Sequence, residues 1–126
     1  MKIRIYYEDT DIGGIVYHTN YIKYCERARS EMFFIRDLIP SDGDKSGFVV
    51  RNINADFLST ATLGDILEVK TKILKIKNSS LVLLQEIYKD EKKIFTMEVL
   101  LVYIDIQKAK PSRIPTPFKE MFLELV

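Results

Sequence analysis

The spacing of apolar and polar residues divides the chain into a short strand, one long helix and a series of strands. Lys2, Ile3, Arg4 and Ile5 alternate charged and apolar side chains, which predicts a half-buried strand over Lys2 to Tyr7. From Tyr21 the period changes. Tyr21, Cys25, Ala28, Met32, Ile35 and Ile39 recur at steps of four and three, placing them on one stripe of an amphipathic helix. Thr19 or Asn20 is positioned to cap its start, and Pro40 with the turn residues Ser41 to Gly47 ends it, with Asp37 or Leu38 in the last turn. That gives about five turns, roughly 27 to 30 Å of helix. Cys25 and Ala28 are small enough for a neighbouring element to pack closely against its middle.

After Gly47 the period is that of strands. Phe48 to Phe57 forms one, and Asp65 to Lys110 contains neither Gly nor Pro inside it, leaving room for three more broken at Asn78-Ser79-Ser80 and Lys89 to Lys93. In the first of these, Leu67, Val69, Thr71 and Ile73 share a face, whereas Leu74 and Ile76 fall on the opposite phase, which predicts a β-bulge or a strand end leaving the core. In the last, Phe95 to Tyr103 alternates, but Leu100, Val102 and Ile104 make its second half apolar on both faces. One helix covers one face only. The expected architecture is α+β, an about five-stranded antiparallel sheet wrapped around one long helix, with a short helix within Pro117 to Leu125. The uncovered face predicts a homo-oligomer. No repeat or linker divides the chain, so 1–126 is read as a single domain.

Composition narrows the function classes. Nineteen Lys and Arg against eighteen Asp and Glu give a formal charge of +1, which supplies no broad field for nucleic acid or an anionic membrane. The longest apolar run, Val99 to Ile104, is six residues, against the ~20 a membrane-spanning helix requires. Cys25 is the only cysteine and Met1 to Glu8 lacks the features of a secretory signal, so a reducing, cytoplasmic setting is expected.

The chemistry concentrates in Tyr6 to Tyr21, YYEDTDIGGIVYHTNY, which holds three acids, a Gly pair, four of the seven tyrosines and the only histidine. One histidine and one cysteine do not make a zinc site, and Glu8, Asp9 and Asp11 are out of register with a calcium loop. No metal is expected. Gly13-Gly14 lacks the spacing and lysine of a phosphate loop and suits a sharp bend instead. Asp11 just ahead of a helix start is a different matter: a carboxylate facing backbone N–H groups at the positive end of a helix dipole can attack a carbonyl, or activate water to do so. The residues alone leave Asp11 open between that role and an Asx turn, and His18 open between structure and chemistry. Glu8 and Asp9 are read as solvated or capping residues.

The string YYEDTDIGGIVYHTNYIKYCERARSEMF resembles the signature of the 4-hydroxybenzoyl-CoA thioesterase family, and within it the YbgC-like branch. The pattern is Y-x-x-x-D-x-x-G-x-V, then His18, N-Y and E-R-A-R; Asp56-Phe57 and Leu63-Gly64-Asp65 extend the similarity through the chain. The resemblance implies a hotdog fold assembled as dimers and commonly tetramers. It implies an acyl-CoA thioesterase with Asp11 as nucleophile or general base, His18 contributing its ring and its main-chain N–H, and Tyr7 beside them. Gly14, Lys75, Lys77 and Ser80 are the candidate substrate-binding residues, the two lysines for the coenzyme A phosphates, where this turn departs from the basic run of the 4-hydroxybenzoyl-CoA enzyme; coenzyme A is part of the substrate, with no separate cofactor. Phe33, Phe34, Phe57 and Leu58 are candidates to line the acyl pocket. Acyl carrier protein is a further partner the resemblance admits. The rival is a binding module that holds acyl-CoA, an acylated carrier or a partner of the Tol-Pal cell-envelope system without turnover. A hotdog dehydratase fits worse, because Glu26 and Glu31 on the helix have no histidine beside them.

Overall fold

The computed structural model describes residues 1–125, so the expected domain over 1–126 ends one residue outside the described residues. The elements are β1 (Lys2–Arg4), α1 (His18–Phe34), β2 (Ser41–Asp42), β3 (Ser46–Phe57), β4 (Ile66–Ile76), β5 (Ser80–Lys89), β6 (Lys92–Asp105), β7 (Lys110–Pro111) and α2 (Thr116–Leu123), with a 3-10 turn at Tyr7–Asp9. All strand pairs are antiparallel, in the order β1-β4-β5-β6-β3-β2, with β7 on β6. The five expected strands are β1, β3, β4, β5 and β6. Strands β2 and β7 span two residues each, too few to show any alternation in sequence.

The sheet encloses α1 because its inward positions are almost all large and apolar. Leu67 and Val69 of β4, Leu81, Leu83 and Ile87 of β5, and Phe95, Met97, Val99 and Leu101 of β6 are buried. The phase change read from Leu74 and Ile76 is a register shift between Ile73 and Lys75, which leaves Leu74 exposed. The one polar residue in the inward row of β5 is Gln85, fully buried. Its Oε1 accepts a hydrogen bond from Arg29 Nη1 at 2.8 Å, and its Nε2 donates to the Cys25 carbonyl at 2.9 Å and to Thr71 Oγ1 at 3.2 Å. The small residues in the middle of α1 therefore admit a side chain from the sheet, which ties helix to β4 and β5.

Both ends of α1 differ from the sequence reading. It begins at His18 with Tyr17 in the capping position, so neither Thr19 nor Asn20 caps it; the Asn20 amide instead donates to the Asp9 carbonyl at 2.9 Å. It ends at Phe34, short of Asp37 and Leu38. Asp37 has φ +56°, its N–H donates to the Phe34 carbonyl and the Leu38 N–H to that of Phe33, forming a Schellman-type stop. An aspartate occupies the place where glycine usually signals that stop, so the sequence hides it. Beyond it the predicted stripe fails: Ile35 and Ile39 are exposed. Phe33 is buried in their stead, edge-on to Phe118 at 5.1 Å and to Phe122 at 5.7 Å on α2.

Cys25 is completely buried, and that burial pushes its thiol pKa up to about 12. A thiol nucleophile needs its thiolate, so native protein at pH 8 should not react with a thiol reagent, whereas denatured protein should release one equivalent of chromophore. Rapid labelling of the native chain would show that the helix is not packed on the sheet as described.

Candidate active site

The segment between β1 and α1 is pinned at several points. Ile5 N–H donates to the Asp65 carbonyl and Gly64 N–H to that of Ile5, both at 2.9 Å. The chain then turns through Tyr7–Asp9, where Asp9 Oδ2 accepts the Tyr6 N–H at 2.8 Å. That carboxylate contact caps the 3-10 turn, a capping role as expected for this acid, and the Asp9 main-chain carbonyl accepts the Tyr17 N–H at 3.0 Å, fastening the turn to the start of α1. Between these points lies a tight loop: Thr10 bridges Val16, Asp11 N–H donates to the Ile15 carbonyl at 2.9 Å and Gly14 N–H to the Asp11 carbonyl at 3.1 Å. Gly13 and Gly14, at φ +94° and +75°, take the left-handed conformations the bend requires.

This loop brings Asp11 and His18 to one cleft of about 370 Å³, lined also by Ile15, Val16, Tyr21 and the segment Phe57 to Thr60. The Asp11 carboxylate has no hydrogen bond or ion pair among the described residues. Its own loop does not hold it in an Asx turn, so it stays open to whatever enters the cleft. The first backbone donors of α1, His18 and Thr19 N–H, have no backbone partner among the described residues. Of the two residues, His18 lines the same cleft, which puts the positive end of the helix dipole beside it. The His18 ring lies 4.7 Å from the Tyr17 ring and 6.0 Å, edge-on, from Phe57.

The opposite wall follows the end of β3. Leu58 and Ser59 N–H both donate to the Ile94 carbonyl, and Val16 N–H donates to that of Ala61. Tyr21 Oη accepts the Ala61 N–H at 3.0 Å, while its ring stacks on Phe95 at 5.5 Å. Burial raises the Tyr21 pKa, opposed by that hydrogen bond and assisted by Asp65, so the phenol stays neutral. Its own proton is uncommitted among the described residues, making it a donor the sequence reading missed. Ser59 and Thr60 were missed as well; the only signal was the polar run Ser-Thr-Ala-Thr directly after a strand.

The wall rests on Asp65, whose Oδ2 accepts Thr62 N–H at 2.8 Å and Thr62 Oγ1 at 3.2 Å and pairs with Lys89 at 2.9 Å. Burial alone would raise this carboxyl, but Lys89 and the two Thr62 hydrogen bonds outweigh it and hold the pKa below the usual value. A depressed folded pKa contributes stability above the unfolded pKa and loses it as pH falls through the folded one. Asp65→Ala should therefore cost about 1 kcal/mol in urea unfolding at pH 7. The difference from wild type should shrink below about pH 4; a difference that grew in acid would contradict the assignment.

The remaining expected site residues are elsewhere. Tyr7 does not end β1 but opens the 3-10 turn; it is 82% exposed and does not line the cleft. Lys75, Lys77 and Ser80 lie at the β4–β5 hairpin, where Lys77 N–H donates to the Ser80 carbonyl at 2.7 Å, at the end of β4 remote from Asp65. Within one chain they do not reach Asp11. Phe57 and Leu58 do line the cleft, whereas Phe34 is exposed and Phe33 belongs to the α2 cluster.

Known proteins resemble this chain along most of its length. The thioesterase-like superfamily matches residues 6–122. The acyl-CoA thioesterase YbgC of Helicobacter pylori is 42% identical over 130 residues, spanning 96% of this chain and 97% of the relative. The acyl-CoA thioester hydrolase YbgC of Escherichia coli O157:H7 is 39% identical, spanning 90% and 87%. Among solved structures, a probable thioesterase from Bartonella henselae superposes with a TM-score of 0.82 at 30% identity, covering 91% of this chain and 97% of that one. A 1,4-dihydroxy-2-naphthoyl-CoA thioesterase from Synechocystis shares the fold at a TM-score of 0.91 and 21% identity, covering 99% and 95%.

Proposed function

The chain belongs to the thioesterase-like superfamily, and from that premise we propose that it hydrolyses acyl-CoA to free acid and coenzyme A at the cleft shared by Asp11 and the start of α1. The observation that carries this is the unpaired Asp11 carboxylate opening on the same cleft that His18, first residue of α1 with no backbone partner for its N–H among the described residues, also lines. A thioester carbonyl seated between them has a nucleophile or base on one side and an electrophilic pole on the other. Asp11 either attacks the carbonyl carbon, giving an anhydride that water cleaves, or takes a proton from the water that attacks. In both routes oxygen from water ends on the acid, the C–S bond breaks, and coenzyme A leaves as the thiol. The N–H groups and helix dipole hold the developing oxyanion, and the His18 ring positions water or substrate. Coenzyme A enters as substrate, and no cofactor is needed.

Position 18 separates the two contributions of its residue. His18→Ala removes the ring and keeps the N–H, and should lower kcat about 10²-fold. His18→Pro removes the N–H too, at the first helical position, where proline is tolerated, and behind Tyr17 at ψ 132°, which suits a residue preceding proline. It should be slower than His18→Ala by a further ~10²-fold. Equal rates for the two folded variants would remove the N–H from the mechanism.

The proposal includes a homo-oligomer, dimer or tetramer. β3 pairs with β6 along one side, but on the other β2 meets only Ser46 and Gly47, leaving an open edge from Phe48 to Phe57. Val50, Ile53, Phe57 and Leu58 are exposed along it, as a strand edge awaiting a second copy would be. Pairing there would place a partner beside Phe57 and Leu58, hence beside the cleft. Tyr7, as the residue that orients the Asp11 carboxylate or lines the pocket, and Lys75, Lys77 and Ser80, as substrate contacts, stay in the proposal only through such assembly; Gly14 stays as a substrate contact from the Asp11 loop itself. We read 1–126 as one thioesterase domain working in the cytoplasm, where a reduced Cys25 is at home; no helix among the described residues is long and apolar enough to cross a membrane. Equimolar coenzyme A and free acid from purified protein and acyl-CoA would support hydrolysis. Tight acyl-CoA binding without product would favour the binding module.

A further inference from the structure

Asp9 stands where the two halves of the proposed site meet, although it does not line the cleft. It precedes the Asp11 loop, and its main-chain carbonyl accepts from two groups at the start of α1, Tyr17 N–H at 3.0 Å and Asn20 Nδ2 at 2.9 Å. Tyr17 directly precedes His18, so the place of the His18 N–H follows from that bond. The carbonyl is in turn fixed by its own side chain. Tyr6 and Asp9 exchange two hydrogen bonds, Tyr6 N–H to Asp9 Oδ2 at 2.8 Å and Asp9 N–H to the Tyr6 carbonyl at 3.0 Å, which closes the 3-10 turn into a ring. Thr10, the next residue, bridges Val16 and opens the Asp11 loop. Asp9 also has a neighbour on α1. Tyr24 is 1% exposed, and its Oη is buried outside hydrogen-bond geometry with any group among the described residues. The carboxylate beside it is Asp9: burial raises the Tyr24 pKa most and Asp9 raises it further, so the phenol keeps its proton. Asp9 Oδ1 accepts no hydrogen bond among the described residues, and a buried phenol ordinarily finds an acceptor.

We infer that Asp9 is a positioning residue for the proposed hydrolysis: seated by the Tyr6 N–H and the Tyr24 hydroxyl, it fixes the distance between the Asp11 carboxylate and the His18 N–H. The inference rests on that reaction. Rate depends steeply on such alignment, since a displacement of about 1 Å can cost about 10²-fold. Tyr24 carries the same effect to the far wall, because its ring packs edge-on to that of Tyr21, a lining residue of the cleft, at 6.3 Å. Neither Asp9 nor Tyr24 lines the cleft, so both act on turnover and not on substrate binding.

The test is thiol release from acyl-CoA by wild type, Asp9→Ala, Asp9→Asn, Tyr24→Phe and Glu8→Ala, with amide exchange at Tyr17 followed by NMR. Asp9→Ala should lower kcat about 10- to 10²-fold with KM within about twofold of wild type, and should speed exchange at Tyr17. Asp9→Asn should restore most of kcat, because its side-chain oxygen still accepts the Tyr6 N–H while its amide donates to the Tyr24 oxygen. Tyr24→Phe should lower kcat about threefold or more at unchanged KM. Glu8→Ala, at the adjacent exposed acid, should match wild type. Wild-type kcat in Asp9→Ala, or equal losses in Asp9→Ala and Asp9→Asn, would overturn the positioning role and leave Asp11 in place. A wild type that releases no coenzyme A would remove the reaction itself and the inference with it. Where Asp9→Ala does not fold, Tyr24→Phe decides: an unchanged kcat overturns the role.

Discussion

Asp11→Asn should release coenzyme A from acyl-CoA at least about 10³-fold more slowly than wild type, while folding and assembling normally. Asparagine matches aspartate in size but supplies neither a nucleophile nor a base, and losses of this order follow when the attacking group of a hydrolase is removed. Stability should be unaffected because the carboxylate makes no hydrogen bond or ion pair among the described residues and lies in an exposed part of the loop. Surface changes of this kind stay within about 0.5 kcal/mol. The loop itself is held by main-chain bonds from Asp11 N–H to Ile15 and from Gly14 N–H to the Asp11 carbonyl, and both survive the substitution. Thiol release and thermal unfolding on the same preparation separate the two effects. A variant with normal turnover would remove Asp11 from the chemistry, and one that melted early would mean the loop depends on its charge.

Phe95→Ala should cost about 3–5 kcal/mol of stability. The ring is fully buried in β6, stacked on Tyr21 at 5.5 Å and edge-on to Phe57 at 5.1 Å. Deleting it opens a void between sheet and helix at the place where both walls of the cleft are anchored. Against a typical total of about 5–15 kcal/mol, the melting temperature should fall by on the order of 10 °C or more. Activity per folded molecule should fall too, since Tyr21 and Phe57 lose their common support. Phe122→Ala is the control: equally buried, it packs on Phe33 and Phe48, away from the cleft, and should destabilise comparably while sparing turnover. Equal loss of activity in the two variants would mean that Phe95 acts only through global stability.

What the sequence disclosed about this molecule was local in character. The long strands were legible because alternation over ten or more residues is hard to miss, and even the irregularity at Leu74 was visible as a change of phase. The early end of α1 was hidden because Asp37, not glycine, adopts the left-handed turn that stops it. Asp11 and His18 were joined in the sequence only through the family resemblance; in the structure the short bridge between Thr10 and Val16 folds their stretch back on itself. Ser59 and Thr60 join the cleft through the bridge from Ile15 to Thr62, a pairing of distant segments signalled by little more than the run Ser-Thr-Ala-Thr, whereas Tyr21, one turn after His18 on α1, read as a core position of the helix stripe. Tyr7, adjacent in sequence, is carried away by the 3-10 turn. Gln85 was a missed opportunity: a lone polar residue in the inward row Leu81, Leu83, Gln85, Ile87 signals a buried partner, here Arg29.

The most direct test of the central claim is thiol release across acyl-CoAs from acetyl to palmitoyl, with wild type and Asp11→Asn side by side. Because Cys25 is buried and protonated, the chain should add no thiol signal of its own. The account predicts steady release by wild type from at least one chain length and only background release by Asp11→Asn. No release by wild type across the whole panel, or equal release by the two proteins, would contradict it.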